Sequence, residues 1–247
     1  MASHVLAGAA RTVAAGTARL LAAWCVGSPL PEAADRRCEG VADLAARRAR
    51  VSQSLFFTDR ATAAITGLGG DDSGLPDHVE RSEMIYDGAN AYVRVAGRWT
   101  GFSLADPGGP RGLSDPLWPL DALFGASDDA VEIGPEAVRG VPATHYRLTV
   151  DLARADAALP AGVSAPSGPY RSLSRLPAEV WLDAAGLACR ISVNSEPAAA
   201  ANVQVWSIVE LWDWGVAADV TPPGPDEVLT PAEAYRLAEE TQPGQTA

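Results

Sequence analysis

The chain has 247 residues, 47% of them hydrophobic, and a formal charge of −12. That is enough apolar material for one large β domain. The acidic balance, with no basic run longer than a pair such as Arg47-Arg48, disfavours nucleic acid and anionic membrane surfaces as partners, because both need clustered cations. All 19 basic residues are arginine, which excludes lysine Schiff-base and P-loop lysine chemistry.

Residues 1–16 open with an alanine-rich segment suited to a helix, ended by Gly16. Thr17 to Val26 reads as a strand, Gly27 to Pro31 as a turn, and Arg37 to Ser54 as one or two further strands. Leu55 to Gly67 is open between strand and helix, and Gly67 to Gly74 is a loop. Arg81 to Tyr86 and Tyr92 to Val95 flank Asp87-Gly88, a hairpin signal. Pro107 to Pro110 is a loop, and residues 115–124 form a short helix with Pro116 in its first turn. Strands resume at Ala130–Ile133 and Val141–Leu152. Residues 153–175 form a long connection rich in Pro and Gly, which we expect to act as a lid. Pro177–Asp183 turns through Asp183-Ala-Ala-Gly186 into a further strand, and Val203–Trp214 closes the sheet. Thr230-Pro-Ala-Glu233 matches a capping box for a terminal helix over 230–240. Regular βαβ alternation is absent, so the fold class is α+β: a mostly antiparallel sheet in a single domain spanning 1–247, its strands lying within 17–215.

Three tryptophan- or tyrosine-bearing runs dominate the last third: Thr144–Asp151, Pro177–Asp183 and Val203–Gly215. In the third, Trp206, Ile208, Glu210, Trp212 and Trp214 share one strand parity, and Ser207, Val209 and Leu211 the other. Trp24, Trp99, Trp181, Trp206, Ile208 and Trp212 are the candidates to grip an apolar ligand. Ordinary core packing is the plainer reading of each. Glu210, held among indoles, is a candidate general acid, with exposure and an arginine partner as the alternative. On the acid reading, Glu210→Gln abolishes any turnover and leaves the fold intact. His145 shares parity with Arg147, Thr149 and Asp151, a solvated face, whereas Tyr146 lies with Leu148 and Val150 and can offer a hydroxyl to an interior.

Cys25, Cys38 and Cys189 form no CxxC pair; Cys25 and Cys38 either face each other across a hairpin or stay free and buried. Three histidines make a multi-histidine metal site improbable, so no metal or cofactor is expected. No run reaches the length of a membrane-spanning helix. No Gly-x-Ser-x-Gly elbow supports Ser/His/Asp catalysis.

The combination of Ala14-Ala-Gly-Thr-Ala-Arg19, Glu39-Gly-Val-Ala-Asp-Leu44, Ile85-Tyr-Asp-Gly88, Tyr92-Val-Arg94, Gly97-Arg-Trp99, Val138-Arg-Gly-Val-Pro-Ala-Thr-His-Tyr146 and Leu176-Pro-Ala-Glu-Val-Trp-Leu-Asp-Ala-Ala-Gly186 resembles the LolA/LppX/LprG-type lipoproteins of actinobacteria over roughly residues 5–228. The resemblance implies a strongly curved antiparallel half-barrel whose concave side is closed by helices, with a cavity that holds acyl chains or other lipids. It carries no catalytic residues. Members are exported and often lipidated through an N-terminal cysteine. This sequence shows neither signal nor that cysteine, and as written it reads as cytoplasmic, exported only if its start is truncated. Two functions follow. The first is binding of a lipid or other apolar small molecule. The second is a cofactor-free cyclase or isomerase of polyketide-like metabolites in the same cavity, with Glu210 and Tyr146 as its catalytic groups.

Overall fold

The computed structural model describes residues 1–26, 30–57, 78–88, 90–95, 97–104, 115–158, 174–195, 204–230, 232–234 and 236–237. Helix α1 (Ala2–Ala14) buries Ala2, Val5, Gly8, Ala9 and Thr12, a stripe at helical spacing. Gly16, at φ +83°, takes the left-handed conformation that lets the chain leave the helix into β1. The strands are β1 (Thr17–Val26), β2 (Arg36–Asp43), β3 (Arg48–Phe57), β4 (His78–Asp87), β5 (Asn90–Val95) and β6 (Arg98–Ser103), then β7 (Val131–Val138), β8 (Val141–Asp151), β9 (Arg175–Asp183), β10 (Ala188–Ser195), β11 (Val205–Trp212) and β12 (Val228–Leu229).

All twelve form one open sheet in the order β12-β6-β5-β4-β3-β2-β1-β11-β10-β9-β8-β7. Every pairing is antiparallel except β12 with β6. Two meanders, β1–β6 and β7–β11, are thus joined along a single seam where β1 pairs with β11, Leu20 opposite Leu211 and Ala22 opposite Val209. β1 lies at the centre and is apolar on both faces, as a strand covered on both sides must be. β7 lies at an edge and leaves Val131 and Ile133 50% and 49% exposed. Its register shift between Glu132 and Gly134, followed by Pro135, disrupts the free edge against further pairing.

Helix α2 (Trp118–Ala122) continues into a 3-10 turn (Leu123–Gly125), and α3 (Leu152–Ala158) follows β8 directly. The predicted 115–124 helix is therefore shorter, and the predicted 153–175 loop begins as a helix: Leu152 and Ala155 give it an apolar side. The rest of that expected lid, 159–173, and the ambiguous 58–67 stretch lie outside the described residues. The helices pack on β8–β11 from one face. Thr12 fixes α1 there: its hydroxyl donates to Gly8 O (2.8 Å) and accepts the Ala188 N–H (2.8 Å). Gly8 sits so close to the sheet that a Cβ would lie 2.9 Å from Leu182.

The main core runs along this helix-bearing face, from Ala18, Leu20 and Ala22 through Val51, Met84 and Tyr86 on one side to Val180, Leu182, Ile191 and Val209 on the other. Gly40, mid-strand in β2, is approached by the Arg50 carbonyl so closely that a Cβ would be 2.0 Å from the oxygen, which only glycine permits. After β11 the chain crosses the opposite, outer face. Asp219 meets Arg50 there (3.3 Å), before β12 joins β6. The capping box forms: Glu233 accepts the Thr230 N–H (2.8 Å), Thr230 Oγ1 accepts the Glu233 N–H (3.3 Å), and 232–234 and 236–237 are helical.

Candidate functional site on the helix-bearing face

Strand alternation and register decide which candidates share a surface. Trp24 stands opposite Arg36 on the helix-bearing face. The guanidinium carbon lies 3.4 Å from the indole centroid, a close cation–π contact, and Arg36 is only 7% exposed. Beyond it on the same face are Cys38 and Gln53 (Sγ to Oε1, 3.8 Å), then Val51, Met84 and Tyr86, whose hydroxyl donates to the Met84 sulfur (3.6 Å). Burial and the adjacent Cys38 push the Tyr86 hydroxyl above its ordinary pKa, and burial pushes the Cys38 thiol up to about 11. Both therefore stay neutral near pH 7. Val93 on β5 and Trp118 on α2 extend the apolar wall.

Tyr146 also faces the helices, as its parity predicts. Its ring lies 5.7 Å from that of His4 on α1, and burial, then Glu132, raises its pKa. Proton donation from this phenol at neutral pH is thereby made harder.

The other tryptophan candidates are elsewhere. Ile208 packs with Leu21, Ala23 and Cys25 on the outer face, flanked by Trp206 and Trp212. Trp181 clusters with Val138, Ala143 and Cys189, again on the outer side. Trp99 stands opposite Arg94, with Val93 and Thr100 of the adjacent register pair turned to the helices, so it too faces outward. The structure does not bring the six residues into one wall. Trp214, which shared their parity in sequence, packs instead against the main core. The reason is the break at the strand end: Asp213 at φ +51° and Gly215 at φ +78° end the alternation after Trp212.

Glu210 is 4% exposed on the outer face. It is held by two arginines rather than by indoles alone: Arg139 Nε donates to Oε2 (2.7 Å) and Arg190 Nε to Oε1 (2.8 Å). Arg139 comes from the β7–β8 turn at φ +51° and lies 3.8 Å from the Trp212 centroid. This clasp pins the hairpin tip across the sheet. With both oxygens taken, the carboxylate's geometry is that of an anchor. Glu210 and Tyr146 lie on opposite faces and share no substrate position. His145 departs from its solvated reading. It is 8% exposed, stacked on Trp181 at 4.2 Å, with Glu136 at 3.3 Å and Glu179 at 3.6 Å.

Cys25 and Cys38 point to opposite faces of neighbouring strands, and all three cysteines are free and buried. Burial first, then Asp35 and Glu32, pushes the Cys25 thiol up to about 12. Among the described residues, no cluster of three His, Cys, Asp or Glu side chains fits a metal ion, and no helix is long and apolar enough to cross a membrane.

Three features were missed in sequence. Arg36 beside Trp24 was readable as a polar residue in an alternating strand, but not as buried. Trp118 was hidden in a short helix. The third is an ion cluster in which Arg47, at φ +55° in the β2–β3 turn, grips Asp121 through both Nη atoms and Asp115 through Nη2 (3.3 Å). Asp115 and Asp121 belong to the α2 segment, 68 and 74 residues away in sequence.

By sequence, the chain matches no family model and no curated protein. In three dimensions it is similar to LprF of Mycobacterium bovis, with a TM-score of 0.50 at 15% identity, covering 90% of this chain and 97% of that one. The lipoprotein LppX of Mycobacterium tuberculosis aligns at a TM-score of 0.46 and 12% identity, over 88% and 98% of the two chains. The LolA-superfamily protein NE2245 of Nitrosomonas europaea aligns at 0.32 and 9%, over 86% and 94%. The open antiparallel sheet with helices on one face is the LolA/LppX/LprG-type half-barrel.

Proposed function

We propose that the protein binds an apolar small molecule, a lipid in the first instance, against the helix-bearing face of β1–β5. One observation carries the reading. Among the described residues the helices pack chiefly on β8–β11, while the apolar wall continues across β1–β5 through Val51, Met84, Tyr86 and Val93. Val51, Met84 and Tyr86 are 2%, 0% and 1% exposed, so this face is dry and suits an apolar occupant. The LprF-like fold supports the same face, since a half-barrel offers its helix-bearing side as the sheltered one. Trp24, half-buried beside Arg36 at the margin of that wall, is the residue most suited to touch such a ligand.

The test is native mass spectrometry of the protein purified from its own host, followed by denaturing extraction of any bound molecule. We expect a co-purifying acyl lipid, and a Trp24→Ala protein that retains about tenfold less of it, a loss of about 1.4 kcal/mol. An empty protein that also fails to bind a fluorescent fatty acid overturns the proposal. A specialised-metabolite precursor or product in place of a lipid transfers the face to the cyclase reading.

A further inference from the structure

The Arg47 cluster joins the part of the molecule that covers the helix-bearing face to the sheet beneath it. α2 brings Trp118 and Leu120 onto the core, and the following 3-10 turn brings Leu123. Arg47 sits at the tip of the β2–β3 hairpin, where its carbonyl accepts the Gly88 N–H (3.0 Å) and its left-handed backbone aims the side chain across to α2. Asp115 also braces the turn that leads into α2, accepting the Leu117 N–H (2.8 Å) on Oδ1 while Oδ2 takes Arg47.

The charges do not balance. Two carboxylates share one guanidinium, and both reach the same Nη2 atom. Their oxygens are thus within about 6 Å of each other, the range where like charges oppose joint ionisation. Among the described residues no second cation reaches the pair, and beyond Arg47 the Leu117 N–H alone favours the Asp115 carboxylate. Tyr86 on β4 is neutral and directs its hydroxyl to Met84. β10 and β11 turn Ile191, Val193, Val209 and Leu211 towards α2. On α3, neither Arg154 nor Asp156 acts on the pair, and no charge on α1 does so.

We propose that Asp115, Asp121 and Arg47 form a pH-sensitive latch that holds α2 on the sheet while the two carboxylates share one proton and loosens when that proton is lost. With the proton present the trio is neutral. Without it, two anions face one cation in a largely enclosed site. Burial, then Asp121, raises Asp115 from 3.8 to about 7, and burial raises Asp121. An acid whose folded pKa lies above its unfolded value adds stability that is fully present below the unfolded pKa. That stability is lost as pH rises through the folded one. The latch therefore tightens towards pH 4 and slackens through pH 7.

The device acts on α2, beside the proposed binding face, but its test needs no ligand, so the two ideas fail separately. Amide hydrogen exchange is followed over residues 115–126 of the full chain at about pH 5 and about pH 8, each corrected for intrinsic exchange. We expect protection in the wild type to fall about tenfold or more across that interval, the effect of one or more pKa units. Asp115→Asn can keep the hydrogen bond from the Leu117 N–H and is expected to remove the dependence. Asp121→Asn, which removes the other like charge, does the same if Asp115→Asn folds poorly. Wild-type protection that does not change with pH overturns the latch, as does an unchanged slope in both variants.

Discussion

The two ion clusters have opposite charge ratios. On the outer face, one carboxylate, Glu210, is held between Arg139 and Arg190. Under α2, one arginine, Arg47, is held between Asp115 and Asp121. Both join a hairpin tip to a distant element, and both are largely shielded. The clasp has cation in excess, and arginine does not give up its proton in proteins. The latch has carboxylate in excess, and carboxylates can take one up. The minority charge in each cluster is the one whose loss leaves unpaired charge behind. The ratio decides whether such a joint holds a carboxylate that lacks a cation of its own.

The comparison can be broken at either end. The largest effect is expected from Glu210→Gln, which strands two arginines against the sheet. About 2–4 kcal/mol of stability should be lost in urea unfolding at neutral pH, the lower part of the range for a broken buried pair because both arginines retain some water contact. An unchanged midpoint would show that the clasp is ornamental. Arg47→Gln should cost about 2–3 kcal/mol at pH 7 and distinctly less at pH 5, where the stranded carboxylates can protonate. A deficit that grows on acidification would reverse the assignment. Arg139→Ala leaves Arg190 in place and uncovers Trp212, so about 1 kcal/mol is expected from thermal unfolding. The smallest effect belongs to Asp115→Asn. At pH 8 it should be neutral or stabilising by up to about 1 kcal/mol, while at pH 4 it should lose that advantage. Surface carboxylates work the other way. Glu83, held low by Arg94 and Arg50, and Asp129, held low by Thr149, stabilise above their unfolded values and cease to do so on acidification. The mutant-minus-wild-type difference is therefore the quantity to read.

Much of the fold was legible, because strand alternation and turn chemistry are local. The Asp87-Gly88 hairpin, the strand from Val141 and the Thr230–Glu233 capping box all stand where their residues placed them. The parity within Val205–Trp212 was also read correctly: Trp206, Ile208, Glu210 and Trp212 do share a face. Parity cannot say which face the helices cover, and that is why the expected tryptophan wall divides between the two sides. Trp24 is set apart from Trp206 by its partner across the seam, Ser207, rather than by anything in its own run. The His145 environment and the Arg47 cluster depend on residues far apart in the chain, and no short pattern announces them.

The single seam between β1 and β11 has a consequence for how the chain is made. β1 leaves the ribosome early and can zip with β2 at once, but its other edge waits until β11 is synthesised. Through most of synthesis the future centre of the sheet is thus an open, apolar edge, the kind of surface that pairs with the wrong partner. Closing it requires contacts of very long sequence separation, which fold slowly. Docking of β11 on β1 is the step at which chaperones would matter most.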